Sequence, residues 1–358
     1  MNSFFTNKRI LVTGCCGTIG RELTKQLMLT YGAAEVLGID NNESELFFAE
    51  QHWLHHDNIH FSLGDIRDLR FLSDATQGVD IIFHSAAFKH VGLCEKAPMQ
   101  AIQNNIHGLQ NIIEAAGKNK VGRVIFTSSD KAVNPTSVMG TTKLMGERLM
   151  TAASNAARDS GTIYASTRFG NVLGSRGSVI PIFREQIRRG GPVTLTDKSM
   201  TRFIMSIEQA GRLVVDSSLI ARGGEVFIVK MPVIQIRDLV DVMIRELAPL
   251  FGHDPDNVRV ETIGARPGEK MHEELMSMEE TRRTFELERY FIVMPPFRKL
   301  TPENLHEYPN LKSKHLALPY HSCNESPLQQ EELRDYLNQN NLQNSPDEPQ
   351  HFSERNWP

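Results

Sequence analysis

The chain has 358 residues, which at about 150 per domain makes two domains, or one large α/β unit with a lobe attached. Apolar residues make up 40% and charged residues 23%, enough for a sizeable core and too apolar for a disordered chain. Lys and Arg number 39 against 43 Asp and Glu, a net charge of -4 that argues against nucleic acid or an anionic membrane as main partner. In chain order, β-branched runs predict strands at Arg9–Thr13, Glu35–Ile39, Ile59–Leu63, Asp80–His84 and Arg123–Thr127. Helical spacing lies between them, at Ile19–Thr30, Ser44–Leu54, Arg67–Thr76 and Pro98–Lys118. Continuous apolar strands alternating with helices predict a doubly wound parallel sheet, a Rossmann-like α/β fold.

A long helix is predicted at Ser137–Asp159 and a sixth strand at Thr162–Arg168. Beyond Gly170, Gly, Pro and Arg accumulate, interrupted by helical stretches near Val179–Arg189 and Ile207–Ala221. Such a pattern suits a smaller C-terminal substrate-binding lobe. The charged run Met278–Arg289 reads as a solvated helical face. From about Leu300 the chain is rich in Asn, Gln, Pro and Glu, and its end is expected to be mobile. The expected division is 1–170 for a dinucleotide-binding domain, 171–299 mainly for the lobe, with some later segments returning to the first domain, and 300–358 for an extension. No run of 18 apolar residues predicts a membrane-spanning helix, and Met1 to Lys8 is too short and polar for a signal peptide. Four scattered cysteines, Cys15, Cys16, Cys94 and Cys323, lack metal-ligand spacing and suggest reduced thiols in a cytoplasm. His52, His55 and His56 read as surface histidines rather than metal ligands.

The strongest local signal is Gly14-Cys15-Cys16-Gly17-Thr18-Ile19-Gly20, directly after the first strand. Glycines there permit a tight turn and let the next helix present its N-terminus to a pyrophosphate. Asp40 ends the second strand about 20 residues on, where a carboxylate can accept from a ribose diol. The neighbours Asn41, Asn42 and Glu43 include no Arg for a 2′-phosphate, so NAD is expected rather than NADP. Asp65, followed by Ile66, ends the third strand within reach of an adenine edge. The cluster Thr127-Ser128-Ser129-Asp130-Lys131 closes the fifth strand beside the crevice where open α/β sheets bind ligands. Met139 and Lys143 follow at i, i+4 spacing on one helix face. Short-chain dehydrogenases carry Tyr at the Met139 position, and a thioether takes no proton at neutral pH. Asp130 and Lys131 are therefore the acid/base pair on offer.

The run Ser128–Pro135, with Val138–Lys143, resembles the nucleotide-activated N-acetylhexosamine 4,6-dehydratases of polysaccharide biosynthesis, which are extended short-chain dehydrogenases. Ala86–Val91, Arg168–Pro181, Thr196-Asp197 with Met200–Phe203, and Ala265–Lys270 are similar to the same family, over roughly residues 8 to 295. The resemblance implies hydride transfer from sugar C4 to NAD, water loss across C5 and C6, and return of the hydride to C6. It implies Lys131 as base at C5, with a pKa that must be depressed, and Asp130 as acid for the departing C6 hydroxyl. Ser129 would bond the C4 hydroxyl, and Lys143 the nicotinamide ribose. Ala86, Ala87, Lys89 and Asn105 would lie near the cofactor. For the nucleotide sugar, the implied contacts are Lys89, His90, Asn171, Ser178, Val179, Thr196, Arg202, Arg266 and Glu269. UDP-N-acetylglucosamine is the usual substrate of the family, with a GDP-linked sugar open as a variant, and a homo-oligomer paired through two long helices is implied. Met139 matches a subgroup whose resemblance favours retention at C5. A 4-epimerase and a non-catalytic NAD sensor are the two alternatives; Met139 speaks against the first, and the Asp130–Lys131 pair against the second.

Overall fold

The computed structural model describes residues 4–157, 161–175, 177–264, 268–296, 308 and 310–340. The first half alternates strand and helix: β1 (Arg9–Thr13), α1 (Thr18–Leu29), β2 (Glu35–Asp40), α2 (Glu43–His52), β3 (Ile59–Leu63), α3 (Leu69–Ala75) and β4 (Ile81–His84). Short helices α4 (Val91–Lys96) and α5 (Pro98–Ile102) lead through a π-turn, Gln103–His107, into α6 (Gly108–Lys118). Then come β5 (Arg123–Thr127), α7 (Val138–Ala156) and β6 (Ile163–Arg168). All six expected strands form, each within one residue of its sequence bounds. The expected single helix Pro98–Lys118 is instead interrupted by the π-turn, which buries Asn104 and Asn105. Widened turns of this kind recur at functional sites.

These strands form a parallel run in a nine-stranded sheet, in the order β3-β2-β1-β4-β5-β6. All four residues of β4, and all but the first of β1 and β5, are buried, as a sheet covered on both faces requires. The doubly wound α/β expectation is borne out. The sheet then continues through β10 (Val226–Val229) to two antiparallel strands, β14 (Tyr290–Val293) and β13 (Thr284–Glu286). The charged run Met278–Arg289 is thus not a solvated helix. It forms a 3₁₀ turn, Glu280–Arg283, and strand β13, because Glu280 is buried to meet Arg168 on β6.

The other late segments build a lobe from β7 (Asn171–Val172), α8 (Val179–Arg188), β8 (Val193–Leu195), β9 (Thr201–Met205), β11 (Val233–Gln235), α10 (Ile236–Leu247) and β12 (Val260–Thr262). Its strands pair as β11-β9-β7 and β12-β8. Helix α9 (Ile207–Ile220) starts at a capping box of Ser206 and Gln209 and packs on α1. The last described helix, α11 (Gln330–Gln339), buries Leu333 and Leu337 in the lobe core against α10. Each leucine contributes about 2 kcal/mol of burial. The expected mobile end falls on residues 341–358, outside the described set.

Candidate active site

Strand β1 delivers the chain into Gly14, whose φ of +70 favours glycine. A Cβ there would lie 2.7 Å from the Ala86 Cα, and one on Gly20 only 2.1 Å from the Gly14 carbonyl oxygen. The turn is therefore drawn tightly over β4 and α1. Helix α1 begins after Gly17 with no side chain capping its first N–H groups, which suits a pyrophosphate. Asp40 Oδ2 accepts from the Cys16 N–H (3.0 Å) and Oδ1 from the Asn42 N–H (3.0 Å), which aims the carboxylate at the mouth of the turn. Asp40, Ile66 and Ala86 line a pocket of about 160 Å³ with Gly14 and Gly17. The cradle that a Cβ would fill, the bare helix end and the fixed carboxylate fit the pyrophosphate and ribose of a dinucleotide. Asp65 does not line this pocket: hydrogen bonds from Arg67 (2.6 Å for the shortest) grip its carboxylate and hold it below the usual range. Cys15 and Cys16 are buried beneath the turn, their sulfurs 3.9 Å apart. The bond to Cys16, then burial, pushes the Cys15 thiol up, so it packs as a small neutral residue.

At the carboxyl end of β5, Ser129 caps a 3₁₀ turn, Asp130–Ala132. A Cβ on Gly140 would stand 2.2 Å from the Lys131 carbonyl oxygen, so only glycine lets α7 press against this turn. Asp130 is wholly buried. Its Oδ1 accepts from the Ser129 hydroxyl (2.7 Å), the Lys131 N–H (2.9 Å) and Lys131 Nζ (3.0 Å). Its Oδ2 has no hydrogen-bond partner among the described residues. Burial pulls the Lys131 pKa down, but Asp130 and Glu273 together outweigh it and hold the ammonium above the usual lysine value. The depressed pKa that a base requires is not present in this resting pair.

Lys143 donates to the Thr127 carbonyl (2.8 Å) and lies 4.7 Å above the Phe126 ring, and burial lowers its pKa to about 8. Burial, then the Lys143 charge, drives His84 down to about 3. His84 Nδ1 bonds Thr13 at 2.7 Å, while Nε2 has no partner among the described residues. Met139 is buried beside Cys94 and Ala101.

A cleft of about 650 Å³ joins these parts. Gly14, Gly17, Thr18, Ile19 and Gly20 form one wall, and Ser129, Lys131, Met139 and Lys143 another. Ala87, Lys89 and His90 border it from the loop after β4, and Asn171 and Ser178 from the lobe. Asn171 Oδ1 and Ser178 Oγ are buried without partners among the described residues, as groups awaiting a ligand would be. Val179 opens α8 directly behind Ser178.

Other expected contacts fall elsewhere. Asn105 clamps the Phe88 backbone (2.8 and 3.0 Å) and Thr142 (3.0 Å), so it braces the loop rather than facing the cleft. Arg202 is buried, its guanidinium donating to the carbonyls of Thr201, Met271 and Lys270, so it is not free for a diphosphate. Thr196 and the exposed Glu269 do not line the cleft. Arg266 lies outside the described residues. Sequence reasoning missed Phe88, Leu93, Cys94 and Gln100 on the cleft wall, and Glu273 behind Lys131. Phe88 lies within the Ala86–Val91 stretch but bears no reactive group, Leu93, Cys94 and Gln100 carry no motif, and Glu273 is one acidic residue among many.

The sheet order and the glycine turn define a protein of the extended short-chain dehydrogenase/reductase class. A family model described as "Polysaccharide biosynthesis protein" matches residues 10–295, and the chain belongs to that family. It is 48% identical over 82% of its length to an uncharacterized membrane protein of Methanocaldococcus jannaschii, 88% of which is covered. Among the described residues, no helix is long and apolar enough to cross a membrane. A UDP-N-acetylglucosamine 4,6-dehydratase (inverting) of Campylobacter jejuni is 38% identical over 84% of this chain and 86% of its own. A UDP-glucose 4-epimerase of Rickettsia typhi is 34% identical over 93% and 96%. Among solved structures, Pen from Bacillus thuringiensis matches with a TM-score of 0.87 and 40% identity, covering 95% of this chain and 99% of that one. DesIV of Streptomyces venezuelae, a dTDP-glucose 4,6-dehydratase with NAD and TYD bound, matches at TM-score 0.64 and 25% identity, over 74% and 86%.

Proposed function

We propose that the protein is a nucleotide-sugar 4,6-dehydratase that converts UDP-N-acetylglucosamine, with NAD, to its 4-keto-6-deoxy form. The observation that carries this is the Asp130–Lys131 pair at the cleft, with a buried carboxylate oxygen that has no partner among the described residues. Gly14, Gly17 and Gly20 with Asp40 would hold the pyrophosphate and ribose, and Lys143 the nicotinamide side. NAD, when bound, supplies the transient oxidant that makes C4 a ketone and so acidifies the C5 proton. Lys131 takes that proton as Asp130 gives one to the departing C6 hydroxyl, which leaves as water. The pair then stands as ammonium and carboxylate, the arrangement seen at 3.0 Å. As C6 is reduced the ammonium returns its proton to C5, and the proton released from the C4 hydroxyl, passed on through Ser129, restores the pair. The cycle consumes no net proton.

The relatives include a 4-epimerase, and the second reading follows from it. Met139 disfavours it, because a buried thioether cannot serve as the Tyr base of ordinary C4 chemistry. Substrate deuterated at C4 separates the two. A 4-keto-6-deoxy product with deuterium at C6 supports dehydration; inversion at C4 without water loss overturns it. Unchanged sugar with tightly held NAD would point to a sensor. We further place the protein in the cytoplasm as a homo-oligomer paired through α5, α6 and α7. Its four unpaired cysteines and the exposed Met99 and Met145 on those helices support this. A monomer in sedimentation would refute the pairing.

A further inference from the structure

The C-terminal segment returns to the site. The Leu275 N–H donates to the Tyr320 carbonyl (2.9 Å), the Ser322 N–H to the Glu273 carbonyl (2.9 Å), and the Glu273 N–H to the Ser322 hydroxyl (2.9 Å). That hydroxyl also bonds Thr201 Oγ1 (2.7 Å), which in turn meets His272 Nδ1 (2.8 Å). The backbone of Glu273 is therefore held from both sides, and its side chain is buried.

Glu273 Oε1 lies 3.7 Å from both Lys131 Nζ and Arg202 Nε, while Oε2 has no hydrogen-bond partner among the described residues. A buried carboxylate left half unpartnered is costly and is kept where it serves something other than stability. Arg202 cannot turn, because three backbone carbonyls fix its guanidinium. Lys131, with a third of its side chain exposed, is the mobile member. Asp130 and Arg202 are the other charges facing Lys131. Around Glu273 stand Lys270, which donates to the Val133 carbonyl; Glu274, which accepts from Asn134; and His272 with His321.

We infer that Glu273 is a positioning residue that tethers the Lys131 ammonium beside Asp130, and that Ser322, by fixing Glu273, makes the C-terminal segment part of the active site. This rests on the assignment of Lys131 as the base. A carboxylate 3.7 Å away favours the charged amine, so its loss eases deprotonation while loosening the tether.

The test is competitive acetylation of the full chain with acetic anhydride across pH, with Lys131 read by peptide mass spectrometry. Glu273→Gln should lower the pH of half-reaction at Lys131 by about one unit, a tenfold gain in neutral amine, and move the acid limb of kcat/KM the same way. Glu273→Asp, which keeps the charge, should stay near the wild type. Ser322→Ala should shift Lys131 in the same direction by less. An unchanged Lys131 titration in folded Glu273→Gln overturns the inference. If that variant does not fold, an unchanged titration in Ser322→Ala does so. Labelling needs no substrate, so a shifted Lys131 in a protein that dehydrates no nucleotide sugar would keep this inference and sink the proposed function.

Discussion

Two buried ion networks draw on the segment 273–280, and they are finished differently. In one, Arg168 on β6 is fully buried between Glu147 and Glu280. Ser128 completes Glu147 (2.6 Å), and the Ser277 N–H completes Glu280 (3.0 Å), so no oxygen is left over. In the other, Asp130, Lys131, Glu273 and Arg202 share too few donors, and Asp130 Oδ2 and Glu273 Oε2 have no partner among the described residues. The first network joins β6, α7 and the 3₁₀ turn before β13. The second faces the cleft. Satisfied charges hold segments together; unsatisfied ones mark where a ligand or a proton is to go.

Substitutions can break this contrast. Lys131→Ala is expected to cut turnover by about a thousandfold or more while dinucleotide binding persists, read by product NMR and calorimetry. Near-normal turnover would remove Lys131 from the mechanism. Arg168→Ala leaves two buried carboxylates uncompensated and should cost about 3–5 kcal/mol in denaturant unfolding. Lys131→Ala should cost clearly less; equal losses would erase the distinction. Asp40→Ala should weaken NAD binding by about 10- to 100-fold, since a charge-assisted hydrogen bond contributes about 1.5–3 kcal/mol. Unchanged affinity would count against the dinucleotide reading.

His84, beside the Lys143 charge, has one nitrogen bonded and one without a partner among the described residues. Its folded pKa of about 3 lies below the ordinary 6.5, so the unfolded chain takes up the proton first. Stability is therefore lost as pH falls from about 6.5 toward 3. His84→Asn should flatten that part of the acid-unfolding curve.

The parallel strands and the glycine turn were legible because their signals are local: apolar runs, and glycines where no Cβ fits. The finished network was not. Arg168 and Glu280 meet across 112 positions, so the charged run around Glu280 looked like a solvated helix. Arg202 misled for a related reason: an arginine in a recognised motif looks free until the carbonyls around it are known. Glu273 becomes visible only when its backbone is seen pinned to residue 322. The π-turn also escaped the 3.6-residue period, since one extra residue per turn leaves the apolar pattern almost intact.

The order of strands across the sheet also sets a schedule for synthesis. Strand β10 pairs with β6 on one side, and its other edge is covered only by β14, some 60 positions later. A nascent chain released before residue 290 would hold a nearly complete Rossmann core with the β10 edge bare. Such an edge is a template for pairing with another chain. Truncations that stop short of β14 should therefore be recovered as aggregates rather than as small soluble domains.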